Sequence, residues 1–406
     1  MYQHSSETIE EIVDGEKRTL YLGVDPTADS MHVGQLMGIL VLRRFVENGH
    51  KLIVVVGGGT GMIGDPGGKS SERVLLDEAT VAKNTEALRT QFSQLLGGVP
   101  FEMVNNADWL HPLNYMEFLR DIGKHFTVNE MIKRDTVRPR IETPDQSISY
   151  TEFSYMLLQA YDFLELHKRY GCDLQIGGSD QWGNIISGVE LIRRKTGDKA
   201  YAMSWPLLVD KKTNKKFGKS EGNAVWLDAI KTSPFQFYQF WLNADDEMVE
   251  ELLLKMTTLA KDEIGMVMEE QNKERGMRVA QKRLALEVTT LVHGSEQAQS
   301  ALRTSEVLFG DTDPKALSPD DVFNIIAYTT TPKCGVTIGE SIIDVLVKSG
   351  LAASKREARQ FVTDGAVKVN GEKIDDTKMI GEGDLLHGSG IFLKRGKKHL
   401  SVLYFA

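Results

Sequence analysis

Thr19-Leu20-Tyr21-Leu22-Gly23-Val24 and Lys51-Leu52-Ile53-Val54-Val55-Val56 bracket a run, Val33 to Asn48, whose apolar residues Leu36, Ile39, Leu40, Phe45 and Val46 recur at helical spacing. The first stretch is short, apolar and cut off by Asp25-Pro26. The last is β-branched and follows Gly49, which closes the helix. Strand, helix and strand in that order predict a right-handed crossover and a parallel sheet buried on both faces. Ligands of such sheets sit beyond the carboxyl ends of the strands. Asp25-Pro26-Thr27, His32-Val33-Gly34-Gln35 and the segment from Gly57 to Lys69 all fall there. His32 and Gly34 open the helix, where unpaired N–H groups and the helix dipole favour a phosphate. About half a chain later, Lys216-Phe217-Gly218-Lys219-Ser220 has positive charge to bring to that phosphate. The pair points to an enzyme that binds a nucleotide and manages charge during transfer at phosphorus.

Outward from this unit, Asp173 to Ile176 and Ala224 to Trp226 have strand character, while Ser154 to His167 and Trp182 to Arg194 are helical in pattern. Residues 110–160 are mixed and are expected as an insertion in the nucleotide fold. The chain turns helical from Ser233 to Phe309. Pro314, Pro319 and Pro332 then punctuate a loop-rich stretch that suggests a linker, followed by a compact mixed tail. The expected division is 1–230 with an insertion near 110–160, a helical domain 231–325, a linker 326–337 and a tail 338–406.

Length and composition agree with a multidomain globular protein: 406 residues, 41% hydrophobic and 26% charged. No apolar run reaches transmembrane length. Met1 to Lys17 is polar and acidic, without secretory or transit character. Cys172 and Cys334 make neither a disulfide framework nor a spaced metal set, and a reducing cytoplasm is the expected compartment. The net charge of −9 is unevenly spread: from Lys333 onward, twelve Lys and Arg oppose nine Asp and Glu. A basic tail on an acidic body is compatible with RNA binding through a limited patch.

Several motifs are weaker than they look. Gly59-Thr60-Gly61-Met62-Ile63-Gly64 matches G-x-G-x-x-G, but that fingerprint needs a helix starting within it, and Asp65-Pro66-Gly67-Gly68 breaks one. Gly64 to Gly68-Lys69-Ser70 is one residue short of a phosphate-binding P-loop. A glycine-rich loop that can approach a ligand closely remains. The run Lys211 to Lys216 resembles a solvated hairpin tip, although Phe217 and Gly218 add an anchor and a hinge suited to closing over polyphosphate. Tyr155, Gln159 and Asp162 share one helix face, either as a solvent stripe or as a pocket for a small ligand with an amine and a hydroxyl. No His/Cys/Glu set has metal-ligand spacing, and no G-x-S-x-G elbow occurs.

Taken in order, these residues resemble a class I aminoacyl-tRNA synthetase of the bacterial tyrosyl type. Tyr21 to Ser30 leading into His32-Val33-Gly34-Gln35 is similar to the family's first signature, and Lys216-Phe217-Gly218-Lys219-Ser220 to its second. Tyr155 to Asp162 and Gln175 to Asn184 resemble its amino-acid pocket. Ser354 to Arg359 and Gly365 to Gly371 resemble the S-four RNA-binding module first known from a ribosomal protein. The likeness covers nearly the whole chain. It implies an α/β fold, with a Rossmann-like parallel-sheet nucleotide-binding domain, a helical domain that binds the anticodon region and a small α+β RNA-binding domain.

The resemblance also implies roles. Tyr21 and Asp162 would bond the substrate phenol; Tyr155, Gln159 and Asp65 its ammonium group; Gln181 its carboxylate side. Thr27 and His32 would grip pyrophosphate oxygens, with Lys69, Arg73, Lys216 and Lys219 closing over them. Asp25, His32, Gly34, Gln35, Lys219 and the ribose-facing Asp180 would make the ATP site, and Asn106 would lie near the pocket's edge. Lys355, Arg356, Arg359 and Lys368 would meet RNA. The expected substrates are L-tyrosine, ATP with Mg²⁺ and cognate tRNA(Tyr), with no tightly bound cofactor or resident metal and neither membrane nor DNA as partner. Family members are homodimers. Three positions depart from the pattern: Gln35 replaces the second histidine of H-x-G-H, Gly38 stands where a hydroxyl can occur, and Phe217-Gly218 replaces Met-Ser. A tryptophanyl-tRNA synthetase and an inactive synthetase-like RNA-binding protein are the competing readings.

Overall fold

The structure is a computed structural model that describes residues 2–66, 76–134, 137–143, 147–209, 219–220, 223–310, 312–329, 331–396 and 399–405. It divides into two compact units, Met1–Leu227 and Asp228–Ala406.

The first unit is built on a six-stranded sheet: β1 (His4–Ser5), β2 (Thr19–Val24), β3 (Lys51–Val56), β4 (Glu102–Asn105), β5 (Leu174–Gly178) and β6 (Tyr201–Trp205). Their order is β1-β6-β5-β2-β3-β4; every pairing is parallel except β1 with β6. Central β3 is buried from Leu52 to Val56, as a strand covered on both faces must be. The helices are α1 (Ile9–Val13), α2 (Val33–Glu47), α3 (Glu78–Leu95), the short α4 (Ala107–Leu110), α5 (Tyr115–Asp121), α6 (Val128–Ile132) and α7 (Arg138–Glu142), then α8 (Tyr150–Tyr170) and α9 (Trp182–Thr196).

β2-α2-β3 is the predicted strand–helix–strand unit, with β2 and β3 in parallel register from Thr19↔Lys51 to Val24↔Val56. Chain order reverses at β2, whose neighbours are β3 and β5, and such a switch point opens a crevice at the strand ends. α8 starts at Ser149, whose side chain accepts from the Glu152 N–H, and stops at Gly171 with φ +64°. The expected insertion near 110–160 therefore ends in a different kind of structure: α4 to α7 are short, but from Tyr150 onward the chain is in the long α8. Gly59 to Gly64 contains one 3₁₀ turn, Thr60–Met62, and no helix start. A two-stranded piece, β7 (Lys219–Ser220) with β8 (Asn223–Ala224), precedes a ladder in which Val33 donates to the Val225 carbonyl and Leu227 to that of Met31.

The second unit begins with α10 (Pro234–Leu242), α11 (Val249–Met256), α12 (Lys261–Lys273), α13 (Val279–His293), α14 (Ser295–Phe309) and α15 (Pro319–Tyr328). A five-stranded sheet follows, in order β11-β10-β12-β13-β9, from β9 (Lys333–Val336), β10 (Val367–Val369), β11 (Glu372–Lys373), β12 (Ile391–Arg395) and β13 (His399–Phe405). α16 (Ile342–Lys348) and α17 (Lys355–Thr363) pack on it through Ile342, Leu346, Ala358 and Val362.

The linker expected at 326–337 is corrected by this geometry. Pro319 sits at the first position of α15, where its missing N–H costs nothing, and Ser318 and Asp321 close a capping box. Lys333–Val336 is an edge strand parallel to β13. Val322 and Ile325 of α15 share a core with Phe392 and Val402 of the sheet. Proline at 319 starts a helix here and does not mark a loop. No helix among the described residues is long and apolar enough to cross a membrane.

Candidate active site

The carboxyl ends of β2, β5 and β6, the first turns of α2 and one face of α8 enclose a cavity of about 360 Å³. Thr27, His32, Tyr21, Asp65, Tyr155, Gln159, Asp162, Gln181, Asp25, Gly34, Gln35 and Asp180 all line it, although up to 160 residues separate them in sequence. Tyr155, Gln159 and Asp162 are thus a pocket face and not a solvent stripe; Tyr155 and Asp162 are buried.

At the floor, the Asp162 carboxylate accepts from Trp109 Nε1 at 2.7 Å and from Asn106 Nδ2 at 2.9 Å. Burial pushes this carboxyl up to about 7, against the lowering effect of those two hydrogen bonds. Tyr21 lies in the same cavity, 1% exposed, and its hydroxyl has no hydrogen-bond partner among the described residues. Burial and the nearby Asp162 raise its phenol well above the ordinary tyrosine range, so it remains a neutral O–H. Asn106, expected near the pocket's edge, lines the cavity and is buried. It accepts from the Gly59 N–H at 2.8 Å and donates to Thr60 Oγ1 at 2.9 Å.

Thr60 in turn donates to Asp25 Oδ1, and Tyr155 Oη donates to Asp25 Oδ2, both at 2.9 Å. A continuous network therefore runs from Asp162 to Tyr155. Gly57 makes this possible: a Cβ there would lie 2.0 Å from Asp25 Oδ1. The glycine-rich loop forms a wall of the cavity through its backbone. On another side, Gln181 Nε2 donates to Asp65 Oδ2 at 2.5 Å, and Asn184 Nδ2 reaches Gln159 Oε1 and Gln181 Oε1 at 3.1 and 3.2 Å. Asp25, Asp65, Asp162 and Asp180 give the described lining four carboxyl side chains and no Lys or Arg, a setting that attracts an ammonium group.

His32 caps α2. Its Nδ1 accepts from the Gly34 N–H at 3.0 Å, and Gln35 Oε1 accepts from the His32 N–H at 3.0 Å. Because Nδ1 accepts, the ring's donor is Nε2–H. The amide that departs from H-x-G-H thus completes a capping box.

Lys69, Arg73 and Lys216 lie outside the described residues; Lys219 is described through its backbone in β7. In the second unit Lys355, Arg356, Arg359 and Lys368 are exposed, the first three on α17, whose buried residues are Ala358 and Val362. Lys368 stands opposite Lys373 on β11 and Lys394 on β12. Trp109 escaped sequence reasoning because its partner is 53 residues away; Thr60 and Asn184 stand inside quoted segments, but their contacts with Asp25 and Gln159, 35 and 25 residues away, were not legible there. Among the described residues, no group of three or more His, Cys, Asp and Glu is placed to hold a metal ion.

A polar crevice at the switch point of a parallel sheet, beside a capped helix N-terminus, defines an α/β nucleotide-binding enzyme. Residues 14–310 match the family model for class I tRNA synthetases (W and Y), and 326–403 match that for the tyrosine–tRNA ligase SYY-like C-terminal domain. The chain is 46% identical to tyrosine–tRNA ligase 2 of Enterococcus faecalis, over 98% of this chain and 95% of the relative. It is 47% identical to the tyrosine–tRNA ligase of Staphylococcus carnosus, over 98% and 94%. The crystal structure of a C-terminally truncated mitochondrial tyrosyl-tRNA synthetase from Aspergillus nidulans superimposes with a TM-score of 0.65 at 33% identity, covering 73% of this chain and 87% of that one. The chain belongs to the tyrosine–tRNA ligase family.

Proposed function

We propose that the cavity joins L-tyrosine to ATP and that the enzyme then passes the tyrosine to the 3′-terminal ribose of tRNA(Tyr). The observation that carries the tyrosine assignment is the buried Tyr21 hydroxyl, without a hydrogen-bond partner among the described residues, in one cavity with Asp162. A substrate phenol between them accepts from Tyr21 and donates to the Asp162 carboxylate, so both buried groups are paired. Phenylalanine leaves them unpaired, a mode of discrimination for which tyrosine-activating enzymes are themselves the standard example.

The substrate ammonium belongs beside Asp65, Tyr155 and Gln159, with Gln181 toward the carboxylate. That carboxylate is already anionic and needs no general base. One of its oxygens attacks the α-phosphorus of ATP in line, and the bond to the bridging oxygen breaks as pyrophosphate leaves. Charge grows on the departing oxygens, where His32 Nε2–H and Thr27 act as donors beside the positive end of α2; the N–H groups of Val33, Gly34 and Gln35, expected as unpaired, already donate to the Val225 carbonyl, His32 Nδ1 and the His32 carbonyl. Lys69, Arg73, Lys216 and Lys219 supply cationic charge in this reading. Mg²⁺ enters as part of the substrate, held chiefly by phosphates. A tRNA ribose hydroxyl then attacks the tyrosyl carbonyl and AMP leaves.

Exposed Lys355, Arg356, Arg359 and Lys368 are assigned to RNA. Like charges directly opposite on a sheet destabilise it, so the row Lys373–Lys368–Lys394 favours a polyanionic partner. Tyr115, Met116, Val128 and Tyr150, each more than half exposed, support a second copy of the chain as the cover for this apolar surface. Pyrophosphate exchange measured across the amino acids is the test. Tyrosine alone sustains exchange if the reading holds; exchange with tryptophan instead, or with none, overturns it.

A further inference from the structure

Gly38 lies one turn beyond Gly34 on α2, is buried, and lines the cavity with it. Glycine inside a helix costs stability relative to alanine, so its place there needs a cause. That cause is Trp205: a Cβ at position 38 would stand 2.7 Å from Cζ2 of the indole and 3.1 Å from Cη2. The indole is 7% exposed and is itself part of the cavity wall. It is the last residue of β6; Tyr21 pairs with Gln175 and Gln175 with Ala202, so Trp205 stands two strands, about 10 Å, across the sheet from Tyr21 and three residues, about 10 Å, further toward the carboxyl ends. Its neighbour Leu207 belongs to the same side. A Cβ on Gly178 would lie 3.1 Å from Leu207 Cδ2 and 2.6 Å from Asp180 Oδ1. Trp205, Leu207 and Asp180 therefore wall the half of the cavity that faces α2, away from the phenol floor.

We propose that Trp205, seated on Gly38, is a specificity-determining residue that sets the width of the nucleotide half of the site without acting on the tyrosine half. This rests on the reading that the first turns of α2 receive ATP. The two positions are a matched pair: a side chain at 38 drives the rigid ring into the cavity, and a smaller side chain at 205 leaves the wall too wide.

The experiment is a double-mutant cycle on the full chain, reading KM for ATP and kcat in pyrophosphate exchange together with the Kd of tyrosine. Gly38→Ala is expected to raise KM for ATP about tenfold, with the Kd of tyrosine held within about twofold. Trp205→Leu alone also raises KM for ATP, and the pair Gly38→Ala/Trp205→Leu returns it to within about threefold of the wild type. Additive effects, or equal losses in ATP and tyrosine binding, overturn the proposal. If Gly38→Ala does not fold, Trp205→Leu decides: a raised KM for ATP with unchanged tyrosine binding supports the assignment, and no change overturns it. Wild-type enzyme without tyrosine-dependent exchange would instead defeat the reading of the ATP site, which separates the two failures.

Discussion

Asp162 carries two opposed demands. Trp109 and Asn106 donate to it, which favours the ionised form, while burial disfavours any charge at all and prevails, placing the carboxyl near 7. The ionised form is the better acceptor for a substrate phenol. Tyrosine binding therefore weakens as pH falls through 7: between pH 8 and 6 the ionised fraction drops from about nine-tenths to about one-tenth, and the Kd rises roughly tenfold. Titration calorimetry across that range checks this, and Asp162→Asn should bind tyrosine weakly with no such slope. For the fold the sign is reversed, because ionising a carboxyl with a raised value costs stability as pH climbs from the ordinary carboxylate range toward 7. His32 caps α2, and the proposed function gives its Nε2–H a part in the chemistry as well. His32→Ala is expected to lower kcat for exchange by about 100-fold, the scale of losing one positioned donor, with tyrosine Kd nearly unchanged. An equal loss in tyrosine binding in the same assay would remove the assigned role.

Among the elements, α15 shows how one buried side chain caps its own helix and joins it to α14. Asp321 is fully buried; it accepts from the Ser318 N–H at 2.9 Å and from Arg303 Nε at 3.0 Å, and Ser300 donates to it as well. Burial pushes its carboxyl up, but these bonds prevail and hold it below the ordinary range. Its contribution is thus complete above about pH 4 and is lost as pH falls further. Asp321→Ala removes the capping box and the pair with Arg303, and should cost about 2 kcal/mol, read as a lower midpoint in urea unfolding at pH 7. The loss should shrink at pH 3; a loss that stays constant with pH would show that the carboxylate charge contributes nothing. α2 has the same economy of parts: one residue, Gln35, completes the box that fixes its first turn.

For the whole molecule, the acidic cavity and the basic face belong to different units of the chain. Tyrosine activation and tRNA charging are therefore expected to respond to different substitutions. Lys368→Glu with Lys373→Glu should raise KM for tRNA about tenfold or more and flatten the salt dependence of charging, while tyrosine-dependent pyrophosphate exchange keeps its wild-type rate. Loss of exchange in the same variant would contradict that separation of labour. Both lysines lie on exposed strand positions, so the substitutions leave the core of that unit intact.

Local pattern by itself determined the strand–helix–strand unit, the helix start at His32, the shared face of Tyr155, Gln159 and Asp162, and the segments at the strand ends. Each depends on a period of two or 3.6 residues, or on capping chemistry within four residues. Only the tertiary structure decided that Asn106 is buried between Asp162 and Thr60, that Trp109 donates to Asp162, and that Lys333–Val336 pairs with β13 where a linker was expected. Those contacts join residues tens of positions apart, and no local period encodes them. Gly38 belongs to both: as a departure it was visible in the sequence, but its cause, an indole 167 residues downstream, exists only once β6 and α2 are packed together.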